Sequence, residues 1–503
     1  MKNQRFAGFI LSYLSIFISS AIGLLFTPYM ISTLGPIEYG LYQLIYAAIG
    51  YIALLDFGLG STLTRFILKF KAEGNKEKEN TAITMCVKIY CAFGAIAMIA
   101  VWIVSLNLDV LFKETINADN VDYARKLFLI MGATTSISLI SHALTGVQTA
   151  HEKYIVTKSV YIFRQLSRVA IMMVLFLFNS GAMTVVITDF AVTVLLALFD
   201  LCYCKFKLKS PIIVGKWDKD LVKALITYSF FTFLQIIVTQ TNNGLDRIIL
   251  GRYSTLEIVA LYGVAMQLYN LFCSIGGVVV GITLPKISRV VFAGSDVNKT
   301  TDCCVRYSRI QMHILAPLLG GFILLGKHFI SLWTPGYDPA AVYIVALLII
   351  VPQVLESIEG TIFNVMKAKN LQATRSLILL GVAVFNVVLT LFLIRVFPLY
   401  GAAMGTFISF VIGNNIISNI YYHKKVGVNI FRYFKNLFMG ILPALAVSML
   451  FGLAIIQIPL GGWLGFFAKG VLYVTVYGVC VLAFGLDGYE KQRVKALVSK
   501  IKR

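Results

Sequence analysis

The chain has 503 residues, 58% of them hydrophobic and 13% charged, with a mean hydropathy of +0.83. That balance excludes a soluble globular protein and leaves a polytopic membrane protein. The net charge of +21 would suit a nucleic-acid partner, but Lys and Arg fall in alternate connections between apolar runs, so the excess is a topology signal and no nucleic acid is expected.

The first apolar run, 9–31, starts on Lys2 and Arg5 as a signal peptide would, yet it is too long and lacks a small-residue cleavage pattern, so it reads as a retained span. Leu11–Ile31 alone covers a hydrocarbon core of about 30 Å. Ser32–Tyr39 carries Gly35, Pro36 and Glu38 and makes a polar corner, after which Tyr42–Leu55 begins the return crossing. The return run then holds Asp56 beside Gly58 and Gly60 and ends on Arg65, Lys69 and Lys71. A charge at that depth calls for a functional or packing reason. Further apolar runs at 82–105, 127–147, 160–178, 183–203, 225–250, 258–284, 308–332, 341–365, 376–397, 402–421, 437–458 and 463–486 bring the expectation to about fourteen spans. The basic connections are Arg65–Lys78, Lys205–Lys223, Lys286–Arg309, Lys367–Arg375, Lys424–Lys435 and Lys491–Arg503, while the intervening ones hold chiefly Lys113, Arg125, Lys126 and Arg252. That asymmetry puts both termini in the cytoplasm, with anionic lipid as a secondary partner of the basic loops.

The order LxxPYMISTLGPIEYGLY followed by LLDFGLGSTLTRF, within Leu24–Arg65 and the residue after it, resembles the oligosaccharide flippases of the Wzx type, members of the superfamily that also holds the multidrug and toxin exporters (the MOP superfamily). None of these residues is catalytic, so the resemblance implies a transporter and not an enzyme. It implies an all-α, MATE-like fold in the bacterial plasma (inner) membrane. It also implies a lipid-linked (undecaprenyl-pyrophosphate) oligosaccharide as substrate for surface polysaccharide synthesis such as O-antigen, a proton or sodium ion for coupling, and contacts with membrane lipids and polysaccharide-assembly proteins.

The two halves echo each other. Gly40, Leu41 and Tyr42 match Ala260, Leu261 and Tyr262; Thr157, Lys158 and Ser159 match Thr374, Arg375 and Ser376; Gly181 matches Gly401. The offsets all lie between about 217 and 220 residues. Six spans per copy give parallel repeats, of the kind that encloses a site opening to each side in turn. The expected organisation is therefore a six-helix bundle at 1–210, its repeat at 211–430, and two extra helices with a basic tail at 431–503.

Motifs for other chemistry fail on context. Gly321–Lys327 (GFILLGK) fits a phosphate loop, but His328 stands where a magnesium-binding hydroxyl is needed and the run is apolar. Asn298–Thr300 is a glycosylation sequon in an expected cytoplasmic loop. The eight cysteines lie in spans or on the cytoplasmic side and read as reduced thiols, and neither they nor His142, His151, His313, His328 and His423 have metal or triad spacing. No metal, cofactor or catalytic residue is expected.

What remains is the polar inventory at membrane depth. Arg164 and Arg168 share a helical face, against snorkelling to headgroups as the structural alternative; Asp189 lies in the outer half of the next span. In TQTNNGLDR, Gln240, Asn243 and Arg247 form one stripe, beside Thr239, Asn242 and Asp246. Helix-to-helix hydrogen bonding is the alternative there. Glu356 and Glu359, one turn apart after Pro352, suggest a shared proton or cation, against an ion pair with Arg or Lys of another span. Arg164, Arg168 and Arg247 suit a pyrophosphate, and Gln240, Asn243, Gln267, Asn270, Asn414 and Asn415 suit sugars. Glu356, Glu359, Asp56 and Asp246 are the coupling candidates. The competing functions are a multidrug exporter for organic cations, which wants a more acidic site, a peptidoglycan-precursor flippase, disfavoured by the absence of charge between Arg5 and Glu38, and a membrane-embedded glycosyl enzyme, which lacks a catalytic constellation.

Overall fold

A computed structural model describes residues 2–116, 120–178, 181–210, 218–294, 296–369 and 371–492. All regular structure among them is helical: α1 (Lys2–Ile52), α2 (Leu59–Ala72), α3 (Lys76–Ser105), the short α4 (Leu108–Leu111), α5 (Val121–Ala150), α6 (Tyr154–Leu175), α7 (Ala182–Cys202), α8 (Lys219–Tyr253), α9 (Leu256–Phe292), α10 (Val297–Trp333), α11 (Pro339–Ile358), α12 (Gly360–Ala368), α13 (Gln372–Val396), α14 (Gly401–Ser409), α15 (Ser418–Tyr421), α16 (Ile430–Phe438), α17 (Ile441–Ile456) and α18 (Gly462–Cys480). The corner expected at Gly35 is a break in α1, where Gly35 adopts φ 75° and ψ 170°. Short polar residues start the long helices: Asn75 Oδ1 accepts from the Lys78 N–H at 2.9 Å, and Asp338 accepts from the Ala340 N–H beside Pro339.

Eleven helical stretches among the described residues are long and apolar enough to cross a membrane. They include Leu14–Ala72 as a single stretch of 59 residues, which at about 1.5 Å per residue is long enough for two crossings with a corner between them. The helix α6 is as long as a span but carries Lys158, Arg164 and Arg168, so it is not among the eleven. Helices also overrun their apolar cores. The basic connection expected at Lys286–Arg309 is mostly helix, since α9 ends at Phe292 and α10 starts at Val297. GFILLGK lies inside α10, with no loop to cradle a phosphate.

The chain divides into two compact units, residues Met1–Gly263 with Thr390–Ala402, and Val264–Leu389 with Ala403–Arg503. Compactness does not follow the repeat boundary expected at 210, because α8 packs into the first unit. Glycines bring it there: a Cβ on Gly251 would overlap Leu44 and one on Gly50 would overlap Gln240, while one on Gly40 would overlap the Leu256 carbonyl at the start of α9. Thr62 and Ser229 hydroxyls add a buried 2.7 Å bond between α2 and α8. Gly40→Ala is expected to destabilise the protein by about 1–3 kcal/mol, because the opposing atoms are backbone and cannot rotate away. An unchanged melting temperature in detergent would contradict that contact.

The matched segments occupy like places locally. Thr157–Ser159 and Thr374–Ser376 lie near the starts of α6 and α13, while Gly181 caps α7 and Gly401 opens α14. In the second unit α10 is the hub, packed against α11, α16, α17 and α18. Its Arg309, expected in a loop, is 2% exposed. Arg309 donates to the carbonyls of Asn436, Leu437, Met439 and Gly485 and to both oxygens of Glu490.

Candidate functional site

Each unit holds its own polar cluster. In the first unit the i, i+4 spacing puts Arg164 and Arg168 on one face of α6, turned towards α7 and α1. Arg168 Nε lies 2.7 Å from Asp189 Oδ1, and its Nη2 donates to the Tyr42 hydroxyl at 3.2 Å. Arg164 Nη2 donates to Thr193 Oγ1 at 2.7 Å. Both arginines are partly exposed, and both are engaged by side chains of neighbouring helices. Asp189 is paired directly with Arg168, and a second carboxylate of α7, Asp200, is buried and held by Gln148 at 2.7 Å. Beside the arginines, Tyr161, Ser19 and Gln165 are linked by hydrogen bonds of 3.1–3.4 Å.

Arg247 is buried at 8% exposure, donates Nη1 to Gln43 Oε1 at 2.7 Å, and lies 5.9 Å from the centre of the Tyr46 ring. Gln43 in turn donates to Tyr39. Asp246 accepts from the Tyr262 hydroxyl, a partner one helix on, so it is buried in protein and not at a wet interface. Gln240 packs against Gly50 and Gly244. The side chain of Asn243 lies outside the described residues.

Asp56 sits at a break between α1 and α2. Its Oδ1 accepts from the Tyr90 hydroxyl at 2.7 Å and lies 3.1 Å from His142 Nδ1. These two bonds supply the packing reason that its depth required.

In the second unit the chain between α14 and α15 widens into a π-helix, Phe410–Ile417, which aims Asn414 and Asn415 inward. Glu356 of α11 and Glu359 just after it have different hydrogen-bond partners. Glu356 pairs with Arg375 at 3.0 Å and accepts from Asn414 Nδ2 at 2.8 Å, while Arg375 also donates to Tyr422 and lies 4.3 Å from the centre of the Phe363 ring. Glu359, at the α11–α12 joint and 1% exposed, accepts from Asn419 Nδ2 at 2.7 Å. Glu359 Oε2, Asn414 Oδ1, Asn419 Oδ1 and both polar atoms of Asn415 are buried without a hydrogen-bond partner. Gln267 is half-buried and Asn270 exposed on α9.

Sequence reasoning missed Tyr42, Gln43, His142, Arg375, Asn419 and Tyr422 as partners. A lone carboxylate such as Asp189 in an apolar span was the signal that a cation had to lie opposite.

The family model described as polysaccharide biosynthesis protein matches residues 6–291. A membrane protein of Bacillus subtilis named EpsK, described as uncharacterised, is 22% identical over 520 residues, covering 97% of this chain and 96% of that protein. Among solved structures, the lipid II flippase MurJ in an inward closed conformation superposes with a TM-score of 0.73 at 15% identity, over 96% of this chain and 99% of that one. A multidrug resistance MATE family transporter of the MOP superfamily, inward-facing, gives 0.66 at 14% identity, over 83% and 96%. The chain thus has the fold that these two structures share, and eleven helical stretches among its described residues are long and apolar enough to cross a membrane. The match over more than half of its length means that the chain belongs to the polysaccharide biosynthesis protein family.

Proposed function

We propose that the protein is a flippase that carries a lipid-linked oligosaccharide, with undecaprenyl pyrophosphate as the carrier, across the bacterial plasma membrane for surface polysaccharide synthesis. The observation that carries this reading is the pair of guanidiniums, Arg164 and Arg168, on one face of α6 against α7 in a member of a polysaccharide biosynthesis family. A pyrophosphate wants guanidiniums, and an organic cation does not. Arg164, Arg168 and Arg247 take the anion; Gln240, Asn243, Gln267, Asn270, Asn414 and Asn415 serve the sugars. Both termini face the cytoplasm, so reporter fusions at Lys76 should read inside and at Gly336 outside. Deleting the gene should deplete surface polysaccharide and accumulate the lipid-linked repeat inside the cell, with recovery on re-expression. Altered dye resistance with unchanged polysaccharide would contradict the reading.

Coupling is assigned first to Glu359, with Glu356, Asp56 and Asp246 behind it. Glu356 has its charge matched by Arg375, whereas Glu359 has an amide donor and a vacant oxygen. Glu359→Gln keeps an acceptor for Asn419, so it should preserve folding and remove the response of transport to an imposed proton or sodium gradient. A wild-type gradient response in that variant would exclude Glu359.

A further inference from the structure

The joint between α1 and α2 is strained. After the tight turn Ala53–Asp56, Phe57 and Gly58 both adopt left-handed conformations, φ 50° and 67°. For glycine this is cheap, but for a bulky aromatic residue it needs support from its surroundings. The Phe57 ring supplies part of it, stacking on Phe233 at 4.0 Å and tilting against Phe93 at 5.4 Å. Asp56 supplies the rest, held from α3 by Tyr90 and from α5 by His142.

Glycines make α2 and α5 close neighbours just below this point. A Cβ on Gly60 would come 3.1 Å from the His142 carbonyl oxygen and one on Gly146 would come 2.8 Å from the Gly60 oxygen, and Thr64 Oγ1 donates to the Gly146 carbonyl at 3.1 Å. The Asp56–His142 bond therefore closes the upper end of a tight seam. The His142 side chain is 52% exposed and that of Asp56 is 23% exposed, so the pair is not sealed within the protein. Among the described residues the other titratable group facing it is Tyr90, with Cys86 behind that ring, while α8 presents the apolar Phe233. Histidine is the side chain that changes charge in the physiological range, and a protonated ring turns a hydrogen bond to a carboxylate into an ion pair as well.

We propose that Asp56 and His142 form a proton-binding clasp on the joint between α1 and α2. A proton taken up on His142 fastens the joint to α5, and its loss frees Phe57 and Gly58 to leave the left-handed conformation. The clasp rests on the flippase reading only for its use, since a transporter driven by protons needs a backbone element whose position follows proton occupancy.

Hydrogen–deuterium exchange of the full chain in lipid nanodiscs tests it. After correction for intrinsic rates, the peptide covering 52–62 should exchange about fivefold more slowly at pH 6 than at pH 8. His142→Gln and Asp56→Asn should each bring that difference within about twofold of none, and Tyr90→Phe should keep it. If His142→Gln does not elute as one species, Asp56→Asn decides alone. A flat wild-type profile, or a full pH difference in either variant, would overturn the clasp. No glycan enters the measurement, so its failure leaves the flippase reading standing, and failure of the flippase reading leaves the clasp standing.

Discussion

Arg309→Met should cost the protein roughly 3–5 kcal/mol of stability, because it strips the partner from buried acceptors on two separate segments at once. The guanidinium reaches the carbonyls of Asn436 and Met439 at 2.9 Å, where α16 gives way to α17, and that of Gly485 at 2.7 Å, where the segment after α18 ends. It also holds Glu490 through both oxygens, at 3.0 and 2.7 Å. One side chain on α10 thus fastens the entry and the exit of the last helix pair, and methionine of similar length satisfies none of these acceptors. Arg309→Lys should recover only part, since a single ammonium cannot serve so many directions. A pH effect accompanies this. Burial pushes the Glu490 carboxyl up, but His313 Nε2, 3.4 Å from Oε1, and the two hydrogen bonds from Arg309 outweigh it and hold the group down at about 2. A depressed carboxyl stabilises the fold above its ordinary value of about 4.5, and that contribution is lost as pH falls from there towards about 2. Thermal unfolding in detergent should show this acid loss in the wild type and a smaller one in Arg309→Met. Equal melting temperatures for the two proteins at neutral pH would contradict the latch.

Arg168→Ala should cut polysaccharide export by about 100-fold or more, since it removes a cation and also strands the Asp189 carboxylate at membrane depth. The second effect is structural, and a double variant separates it from the first. In Arg168→Ala with Asp189→Asn no charge is left unpaired, so the amount of folded protein in the membrane should return. If the guanidinium contacts the substrate, export stays low in the double variant; if it only neutralises Asp189, export returns with the protein. The substrate-site assignment predicts the first outcome, with Arg168→Lys intermediate because it lacks the bidentate fork.

The helical pattern was legible because membrane solvation acts on each run of about 20 residues by itself. Hydropathy located the break at Gly35 and the charge at Asp56 without any knowledge of neighbours. Pairing was not legible, because it depends on which helices adjoin. Nothing near Glu356 announces Arg375, which lies 19 residues on in the next long helix. The one-turn spacing of Glu356 and Glu359 suggests a shared proton or cation but could not show that α11 ends at Ile358 or that Asn419 donates to Glu359. Arg309 was grouped with surface charge for a related reason: hydropathy marks where a helix is apolar, not where it ends, and α10 begins twelve residues before Arg309. Asp189 gave the reverse lesson, since its isolation in an apolar span implied a cation opposite but could not name Arg168.

The most direct test of the flippase reading is reconstitution. The purified chain in proteoliposomes, loaded with a labelled undecaprenyl-pyrophosphate oligosaccharide in one leaflet, should move the label to the other leaflet, faster under a proton or sodium gradient and not at all in Arg168→Ala with Asp189→Asn. Label that stays in its leaflet while an organic cation is carried down the same gradient would contradict that reading.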